Sequence, residues 1–517
     1  MQTLDWIIVG GYLAAMLALA ARLSRTQGSD RDYFLGANRM GALPLATSTI
    51  ATQCSTNSLL GAPAFVGFTL GGGLLWLQYE LAVPLAMLAL IWLLATIRRS
   101  GNVSVYAFLE ERLGRETRLL ASGMFLLFRG IATGVTVYGV SSMVTMLLDV
   151  TYLEAVALLM AVTIIYDVLG GMRAVVYSDV IQLILILVTV GVCLTMVVDD
   201  IGGWSALYQF QQADPRGAAV DFSWGFEQGS TFGFWPMLFG GLFLYMAYYG
   251  CDQSQAQRVL SARSPRDAER VLTVAGTLRF PIVLIYCLLG LALALYASQN
   301  PQFISSLPST ENGTANYNLV VPSYVLQNFP VGLVGLVIVG IVAAAMSSID
   351  SSLNALSAAT VEDFLGGRPD RSPQRLQLIA KLTTGAWGMF AVLFSFQVEH
   401  IAPTILEAIN KIGSVANGPL LALFALALFA PAVGQRRAIA GFACGFAANL
   451  ALWLSDAPIS WLWWNASGCI VALTAASLGT RLRLRTVEHR AHTGSILALL
   501  LTAAIILAVC LALGTAR

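Results

Sequence analysis

Apolar runs of about twenty residues recur along the whole chain, separated by short polar segments. An α-helix of this length crosses the hydrocarbon core of a membrane. Because lipid offers no partner to backbone groups, only helices or closed barrels cross it, and runs of this length suit helices. The pattern predicts an all-α polytopic membrane protein with about fourteen transmembrane helices. The predicted spans are residues 4–24, 43–69, 74–97, 118–147, 152–171, 175–199, 232–256, 271–297, 321–363, 377–397, 404–430, 436–455, 459–479 and 494–514.

The ninth predicted span, 321–363, is too long for a single crossing. We expect it to continue as a helix past the bilayer surface or to bend. The first span lacks a basic segment before it and a clear cleavage site, so it is predicted to stay in the protein rather than to be a removable signal.

Two spans combine apolar residues with helix-interrupting ones. The second contains "ATQCSTNSLLGAPAFVG", and the seventh ends in "YYGCDQSQAQR". They lie five spans apart, which predicts two inverted repeats of five helices that each open with a broken helix. Small residues also serve close helix packing. That alternative does not account for Gln53, Asn57 and Gln78 together.

Composition agrees with a membrane protein, since 57% of the residues are hydrophobic and 11% are charged, against about 25% charged in soluble domains. The net charge of +1 indicates no acidic partner, and no nucleic-acid-binding patch is present. The seven cysteines are scattered singly, without the spacing of a metal site or a disulfide framework.

The basic residues indicate the orientation. With the N-terminus outside, 24 of the 29 lysines and arginines fall in inner loops or at adjoining span ends, and two fall outside. Such an asymmetry is typical of cytoplasmic loops and predicts that both termini are extracytoplasmic. The other three, Arg129, Arg279 and Lys411, lie inside spans. Intramembrane charges either form ion pairs that fix helix packing or serve function.

The ninth span turns from apolar to hydroxyl-rich at "AAAMSSIDSSLNALSAAT". At helical spacing Ala344, Ser347, Ser348 and Ser351 share one face. Hydroxyl and carbonyl oxygens suit a hard cation, and an uncharged set suits a monovalent ion held weakly enough to be released. The alternative is that the serines hydrogen-bond back to their own helix.

Three segments resemble the motifs of the sodium:solute symporter family across residues 30–430. They are "GGMRAVVYSDVIQ" (170–182), "YYGCDQSQAQR" (248–258) and "AAAMSSIDSSLNALSAATVEDF" (343–364). "ATQCSTNSLLG" is most similar to the bacterial sialic acid branch, whereas "NALSAATVEDF" and "DQSQAQR" resemble the branch carrying monocarboxylates, iodide and vitamins.

The resemblance implies a LeuT-type fold, with one helix before the five-plus-five core and three after it, and solute uptake coupled to sodium. The expected units are a peripheral first helix (1–30), the first repeat (43–199), the second repeat (232–430) and peripheral C-terminal helices (436–517).

The resemblance implies a first sodium site between the second and ninth spans. Its ligands are the backbone carbonyls of Ala51, Cys54 and Ala344 and the hydroxyls of Ser347 and Ser348.

A second sodium site, present in some members, uses Asp179 with Ser347 and Ser351. Asp350 stands where the two-sodium sialic acid carriers have serine. Its carboxylate either strengthens this site or pairs with an arginine elsewhere. One or two Na⁺ ions are therefore expected as the coupling ions.

For the solute, the resemblance implies contacts from the second, third and seventh spans. The implied residues are Gln53, Ser55, Ser58, Gln78, Tyr245 and Tyr248. Arg279 also falls near a basic substrate-site position of sugar carriers in the family.

Helix geometry predicts that Arg129 lies deep in the membrane, because it is eleven residues beyond Arg118, which is placed at the inner end of the fourth span. That is roughly 16 Å into the bilayer. The guanidinium needs an anion there. Either Glu80, Asp179 or Asp350 is a permanent partner, or Arg129 holds a substrate carboxylate, which a planar guanidinium matches. The sialic acid branch has a similar arginine.

We therefore predict a sodium-coupled symporter of a bacterial inner membrane that imports a small carboxylated solute such as sialic acid. The expected partners are this solute, sodium ions and the lipid bilayer, with no nucleic acid and no obligatory protein. A neutral sugar or polyol and a monocarboxylate are alternatives. A membrane-embedded enzyme is disfavoured, because no histidine or lysine base accompanies the serines.

Overall fold

The computed structural model describes residues 2–25, 29–148, 150–309, 315–365, 372–401, 405–430, 432–455, 457–479 and 491–515. Helices make up nearly all of this part, which contains isolated bridges but no extended strand. Nine of its helices are long and apolar enough to cross a membrane by themselves. The other spans are divided, short, or fused with a neighbour.

The spans follow the predicted order. Their helices are Thr3–Ser24, Ala42–Gln53 with Ala62–Phe68, Trp76–Tyr79 with Ala82–Ser100, Arg115–Leu148, Tyr152–Asp200, Gly241–Gly250 with Gln253–Leu260, Pro265–Gln299, Leu333–Ala359, Pro373–Ile401, Ile405–Phe429, Gln435–Leu454, Leu462–Ser477 and Thr493–Leu513. The helix Tyr152–Asp200 contains both the fifth and the sixth span.

Gly171 separates the fifth span from the sixth. Its φ of 54° and ψ of −161° interrupt the helix, in a region that L-residues rarely adopt. A Cβ at this position would lie 2.6 Å from the ring of Tyr33. Both the turn and the close approach of Tyr33 therefore require glycine here.

The second span breaks after Gln53. Cys54 has a non-helical ψ of 56°, and the chain resumes as a π-helical turn over Asn57–Gly61. The Ser58 hydroxyl donates to the Gln53 carbonyl at 3.0 Å. A local side-chain bond thus replaces the helical one, as serine readily allows.

The seventh span breaks after Gly250. Asp252 is extended and caps the next helix, accepting a 2.8 Å hydrogen bond from the Ser254 N–H. This is the ordinary role of an N-cap aspartate. The predicted breaks therefore occur in both spans.

The ninth span is shorter than predicted. Residues Val320–Asn328 form a separate helix, and the transmembrane helix begins at Leu333. Pro330 lies between the two, and Gly332 has a φ of 90°. Of the two outcomes expected for residues 321–363, a bend is observed near the start, because these two residues end the first helix and turn the chain.

The core contains two series of five spans, the second to sixth and the seventh to eleventh, and each series opens with a broken helix. The ninth span packs against the sixth and also contacts the second. This packing brings the hydroxyl-rich segment to the break of the second span. The residue boundaries of the two repeats remain a prediction.

Candidate ion and solute site

The first predicted sodium group is assembled where the second span breaks. A helix end leaves its last carbonyls without helical partners. The Ser347 hydroxyl donates to the carbonyls of Ala51 at 3.2 Å and Ala344 at 3.1 Å. The Ser348 hydroxyl donates to the Thr52 carbonyl at 3.0 Å. Four of the five predicted ligands therefore lie in one contact network, and all of them offer the oxygen atoms that sodium prefers.

Cys54, the fifth predicted ligand, directly follows Ala42–Gln53, the first half of the broken second span. Its N–H donates to the Ile50 carbonyl at 2.8 Å, which is the final helical bond before the break. Its side chain is buried. The change of backbone direction at Cys54 is what frees the preceding carbonyls.

Back-bonding by the serines, the alternative interpretation, also occurs. The Ser351 hydroxyl donates to the Ser347 carbonyl at 2.6 Å, and the Ser352 hydroxyl donates to the Ser348 carbonyl at 2.8 Å. These bonds run along the ninth span. The bonds from Ser347 and Ser348 to the second span are additional, and they join two helices.

The second predicted sodium group contains a residue that the sequence analysis counts with the inner loops. Arg258 is fully buried and donates to Asp179 at 3.0 Å and to the Ser48 hydroxyl at 2.7 Å. It also contacts the hydroxyls of Thr52 and Ser351. The sequence places Arg258 among the inner loops and adjoining span ends; in the structure it lies on a half-helix, Gln253–Leu260, all eight residues of which are buried.

Asp350 is fully buried but makes no ion pair among the described residues. One carboxylate oxygen accepts the Ser351 N–H at 2.5 Å, and the other has no hydrogen-bond partner in the described part of the chain. The predicted alternative of an arginine partner is not observed there. A contribution to the second ion site stays a prediction.

Arg129 lies beside the break of the seventh span. Its guanidinium forms an ion pair with Asp252 and lies 5.8 Å from the centre of the Tyr248 ring. The Tyr248 hydroxyl accepts a 2.8 Å hydrogen bond from Gln255. The Arg129 and Asp252 side chains keep 20% and 18% of their surface exposed, so the pair is not completely enclosed by the protein.

The structure contradicts the predicted partners of Arg129, which are Glu80, Asp179 and Asp350. The observed acid, Asp252, belongs to the second repeat and lies 123 residues from Arg129 along the chain. Asp252 opens the segment "DQSQAQR", which hydropathy places at the membrane surface, so Asp252 is absent from the predicted intramembrane partners. The polar residues that interrupt the seventh span are the sequence signal that points to Asp252.

Gln53, Ser55 and Ser58 remain partly exposed at the break of the second span. The Ser55 carbonyl accepts the N–H groups of Ser58 at 2.9 Å and Leu59 at 3.1 Å. The side-chain oxygen of Gln53 is buried without a hydrogen-bond partner in the described residues. These three residues thus form one polar group on the second span.

Gln78 lies apart from that group. Its amide nitrogen donates to the Phe232 carbonyl at 2.8 Å, and its amide oxygen accepts the Asp221 N–H at 3.1 Å. The side chain is buried. In this conformation Gln78 therefore anchors the segment that leads into the seventh span.

Tyr245 belongs to another buried cluster. Its hydroxyl accepts a 2.8 Å bond from Arg279, which also contacts the Tyr249 hydroxyl at 3.2 Å. Glu80 receives two bonds from Arg279, at 2.5 and 2.8 Å. In this conformation Arg279 is thus engaged by the protein itself. Lys411, the remaining intramembrane cation, has its side chain outside the described part.

The described core holds more carboxylates than arginines. Its arginines pair across spans as Arg129–Asp252, Arg258–Asp179 and Arg279–Glu80. Asp350 and Asp167, a residue that the sequence analysis does not single out, are fully buried and form no ion pair in the described residues. A buried carboxylate without a counter-charge either takes up a proton or binds a cation.

Comparisons with known proteins identify the family. The sequence profile of the sodium:solute symporter family matches residues 33–445. The chain belongs to this family. Its members are transporters rather than enzymes, and sodium is their coupling ion.

Several characterised relatives match most of the chain. The sodium/sialic acid symporter NanT of Aliivibrio fischeri is 27% identical over 489 residues, covering 92% of each chain. The sodium/sialic acid symporter SiaT of Proteus mirabilis is 28% identical over 458 residues, covering 87% of this chain and 89% of that protein. The human sodium/iodide cotransporter is 27% identical over 434 residues, covering 83% and 65%.

The fold also has solved counterparts. The substrate-bound, outward-open structure of a Na⁺-coupled sialic acid symporter matches with a TM-score of 0.83 at 25% identity, covering 94% of this chain and all of the other. This match confirms the LeuT-type polytopic architecture predicted from the sequence. The residues that bind sodium and solute in this chain remain predictions.

Proposed function

We propose that this sodium:solute symporter imports a small carboxylated solute across a bacterial inner membrane, with sialic acid as the first candidate. The names of its relatives specify sialic acid, iodide or monocarboxylates as the solute. All three are anions. A shared requirement for negative charge predicts a buried cation near the solute.

Arg129 carries the proposal. It is an intramembrane guanidinium that remains partly exposed and lies at an interrupted helix. Its partner Asp252 also accepts hydrogen bonds from the Ser254 N–H at 2.8 Å and the Ser254 hydroxyl at 2.6 Å. A substrate carboxylate can therefore replace Asp252 at Arg129 while Asp252 keeps these donors. The exchange leaves Arg129 with a charge-assisted, bidentate partner.

Sodium would contribute by joining the second and ninth spans through Ala51, Thr52, Ser347 and Ser348. Solute that binds better to the joined arrangement gains affinity from sodium, and sodium gains affinity equally from the solute. Each net positive charge carried inward also gains about 2.3 kcal/mol per 100 mV of membrane potential. Two sodium ions with one monoanion would be electrogenic, whereas one sodium ion would not.

Arg129→Lys tests the carboxylate contact. The variant should fold and bind sodium normally but lose at least about tenfold in affinity for N-acetylneuraminate, since lysine lacks the bidentate fork. Affinity for a neutral sugar analogue should not change. Arg270→Lys, at an exposed cytoplasmic position, is the matched control. Normal uptake of the acid by Arg129→Ala would refute the proposal.

A neutral sugar or polyol is the second candidate, because Asp252 already neutralises Arg129 in this conformation. Under that alternative the pair serves folding alone. Arg129→Gln would then lower the unfolding temperature without ligand, and Arg129→Gln/Asp252→Asn would restore it. Sodium-driven uptake of neutral solutes with no preference for acids would favour this candidate.

We also propose that both termini face the extracytoplasmic side. The split of basic residues and the even number of spans support this orientation. A reporter that is active only in the cytoplasm should be silent when fused after Arg517, a residue outside the described part of the chain. An active reporter at that position would mean that the span count is wrong by one.

A further inference from the structure

The Arg258 guanidinium is held by five polar groups in the interior. Its Nε donates to the Ser48 hydroxyl at 2.7 Å, and one terminal nitrogen donates to Asp179 at 3.0 Å. The hydroxyls of Thr52 and Ser351 and the Ser254 carbonyl are the other contacts. Arg258 is 1% exposed. Nothing about its position resembles the mobile, solvated arginine of a cytoplasmic loop.

These contacts include the ligands expected for a second sodium ion. Asp179 and Ser351 are two of the predicted ligands, and the Ser351 hydroxyl also donates to the Ser347 carbonyl at 2.6 Å. The set contains hydroxyl oxygens and a single carboxylate, which suits one monovalent cation. In this structure the arginine side chain supplies that cation.

We infer that Arg258 is a tethered cation that occupies the second ion site, so that Arg258 and a second sodium ion exclude each other at Asp179. Two positive charges a few ångströms apart repel strongly in a medium of low polarity, and Asp179 balances only one of them. The inference rests on the sodium-coupled function proposed above, and it deepens that function by naming the residue that sets the number of ions.

The position of Arg258 gives this exclusion a conformational meaning. Arg258 lies on Gln253–Leu260, the inner half of the broken seventh span. Apart from the Ser254 carbonyl on the same half-helix, its partners belong to the second, sixth and ninth spans. A second sodium ion can take Asp179 only when this half-helix withdraws the guanidinium. In the described conformation the protein therefore binds sodium at the first site alone.

Binding of ²²Na⁺ to the purified protein without solute tests the inference. Arg258→Gln should bind one sodium ion more than the wild type, or bind the second ion with at least about tenfold higher affinity, because Asp179 is left without a counter-charge. Arg258→Gln/Asp179→Asn should return to the wild-type number. Arg258→Gln binding no more sodium than the wild type, at no higher affinity, would overturn the inference.

Folding of the variant is followed through its unfolding temperature. Sodium should raise that of Arg258→Gln more than that of the wild type, as ligand linkage requires, whereas potassium should not. Asp179→Asn, which keeps Arg258, provides an independent test. It should bind as many sodium ions as the wild type, and loss of one ion would show that sodium and Arg258 share Asp179, which would overturn the inference.

The measurements without solute separate this inference from the proposed function. A gain of sodium binding in Arg258→Gln supports the inference whichever solute is carried. Failure of Arg129→Lys to discriminate acids from neutral sugars concerns the solute alone. Ser348 is a predicted ligand of the first site alone, so loss of sodium binding in Ser348→Ala reports on that site and leaves the behaviour of Arg258→Gln to decide the second.

Discussion

Breaking the Glu80–Arg279 pair should destabilise the protein more than removing an exposed ion pair. Arg279 makes two bonds to Glu80, at 2.5 and 2.8 Å, and the side chains are 9% and 1% exposed. Two tyrosine hydroxyls take further bonds from the guanidinium. Glu80→Gln keeps the shape of the side chain but leaves Arg279 charged and buried without a counter-charge.

The expected loss is about 3–5 kcal/mol, the usual cost of removing one partner from a buried pair. Proteins lose roughly 2 cal/mol/K of entropy per residue on folding, which for 517 residues amounts to about 1 kcal/mol/K. The unfolding temperature should therefore fall by about 3–5 °C. Glu80→Gln/Arg279→Met removes both charges and should recover most of this loss, because no unpaired charge remains.

Thermal unfolding of the purified variants in detergent, at one scan rate, measures these shifts. Arg270→Gln is the control, because Arg270 is 57% exposed and lies 3.6 Å from Asp267; its unfolding temperature should change by less than about 1 °C. The reasoning is refuted if Glu80→Gln unfolds at the wild-type temperature. If that variant also alters solute affinity, Arg279 is a solute contact, as the family resemblance implies.

Two further substitutions test the ion site and the helix break. Ser347→Ala should weaken sodium affinity, and it should weaken solute affinity only when sodium is limiting. Ser357→Ala is the control and should change neither affinity, because the Ser357 hydroxyl donates to the Ala380 carbonyl. An unaltered dependence of uptake on sodium concentration in Ser347→Ala would contradict the ion site. Gly171→Ala should lower the unfolding temperature by at least about 2 °C because of the positive φ at this position. Gly191→Ala is the control and should have little effect, because a Cβ there meets open space. Equal unfolding temperatures for the two variants would contradict the requirement for glycine at position 171.

The helices were predictable because the membrane leaves the backbone few choices. Each apolar run has to satisfy its own hydrogen bonds, and a helix does so within the segment. The interrupted spans were predictable for a related reason, since polar residues, Gly and Pro weaken a helix locally. The separate helix Val320–Asn328 was not, because it depends on a turn at two single residues, Pro330 and Gly332.

The partners of the buried charges could not be predicted from spacing. Arg258 and Asp179 are 79 residues apart, and Arg279 and Glu80 are 199 apart. Their proximity results from the packing of whole spans. Hydropathy also did not predict the burial of Arg258, since it scores composition and not burial. The polar segment Gln253–Leu260 is buried because its side chains hydrogen-bond to neighbouring spans.

The two candidate ion sites share parts, and this sharing suggests how one protein couples ion and solute. The inner half of the second span supplies the Ala51 carbonyl to the first site and the Thr52 hydroxyl to Arg258. The ninth span likewise supplies Ser347 to the first site and Ser351 to Arg258.

A sodium ion at the proposed first site would therefore fix the same two helices that hold Arg258. Asp252 caps the N-terminus of the half-helix Gln253–Leu260, and Arg258 lies in its last turn. A solute that replaced Asp252 at Arg129 would therefore act on the segment that carries Arg258. Under the proposed function, binding at either place would change the contacts of the other through this segment. Such a shared element is what reciprocal coupling between ion and solute requires.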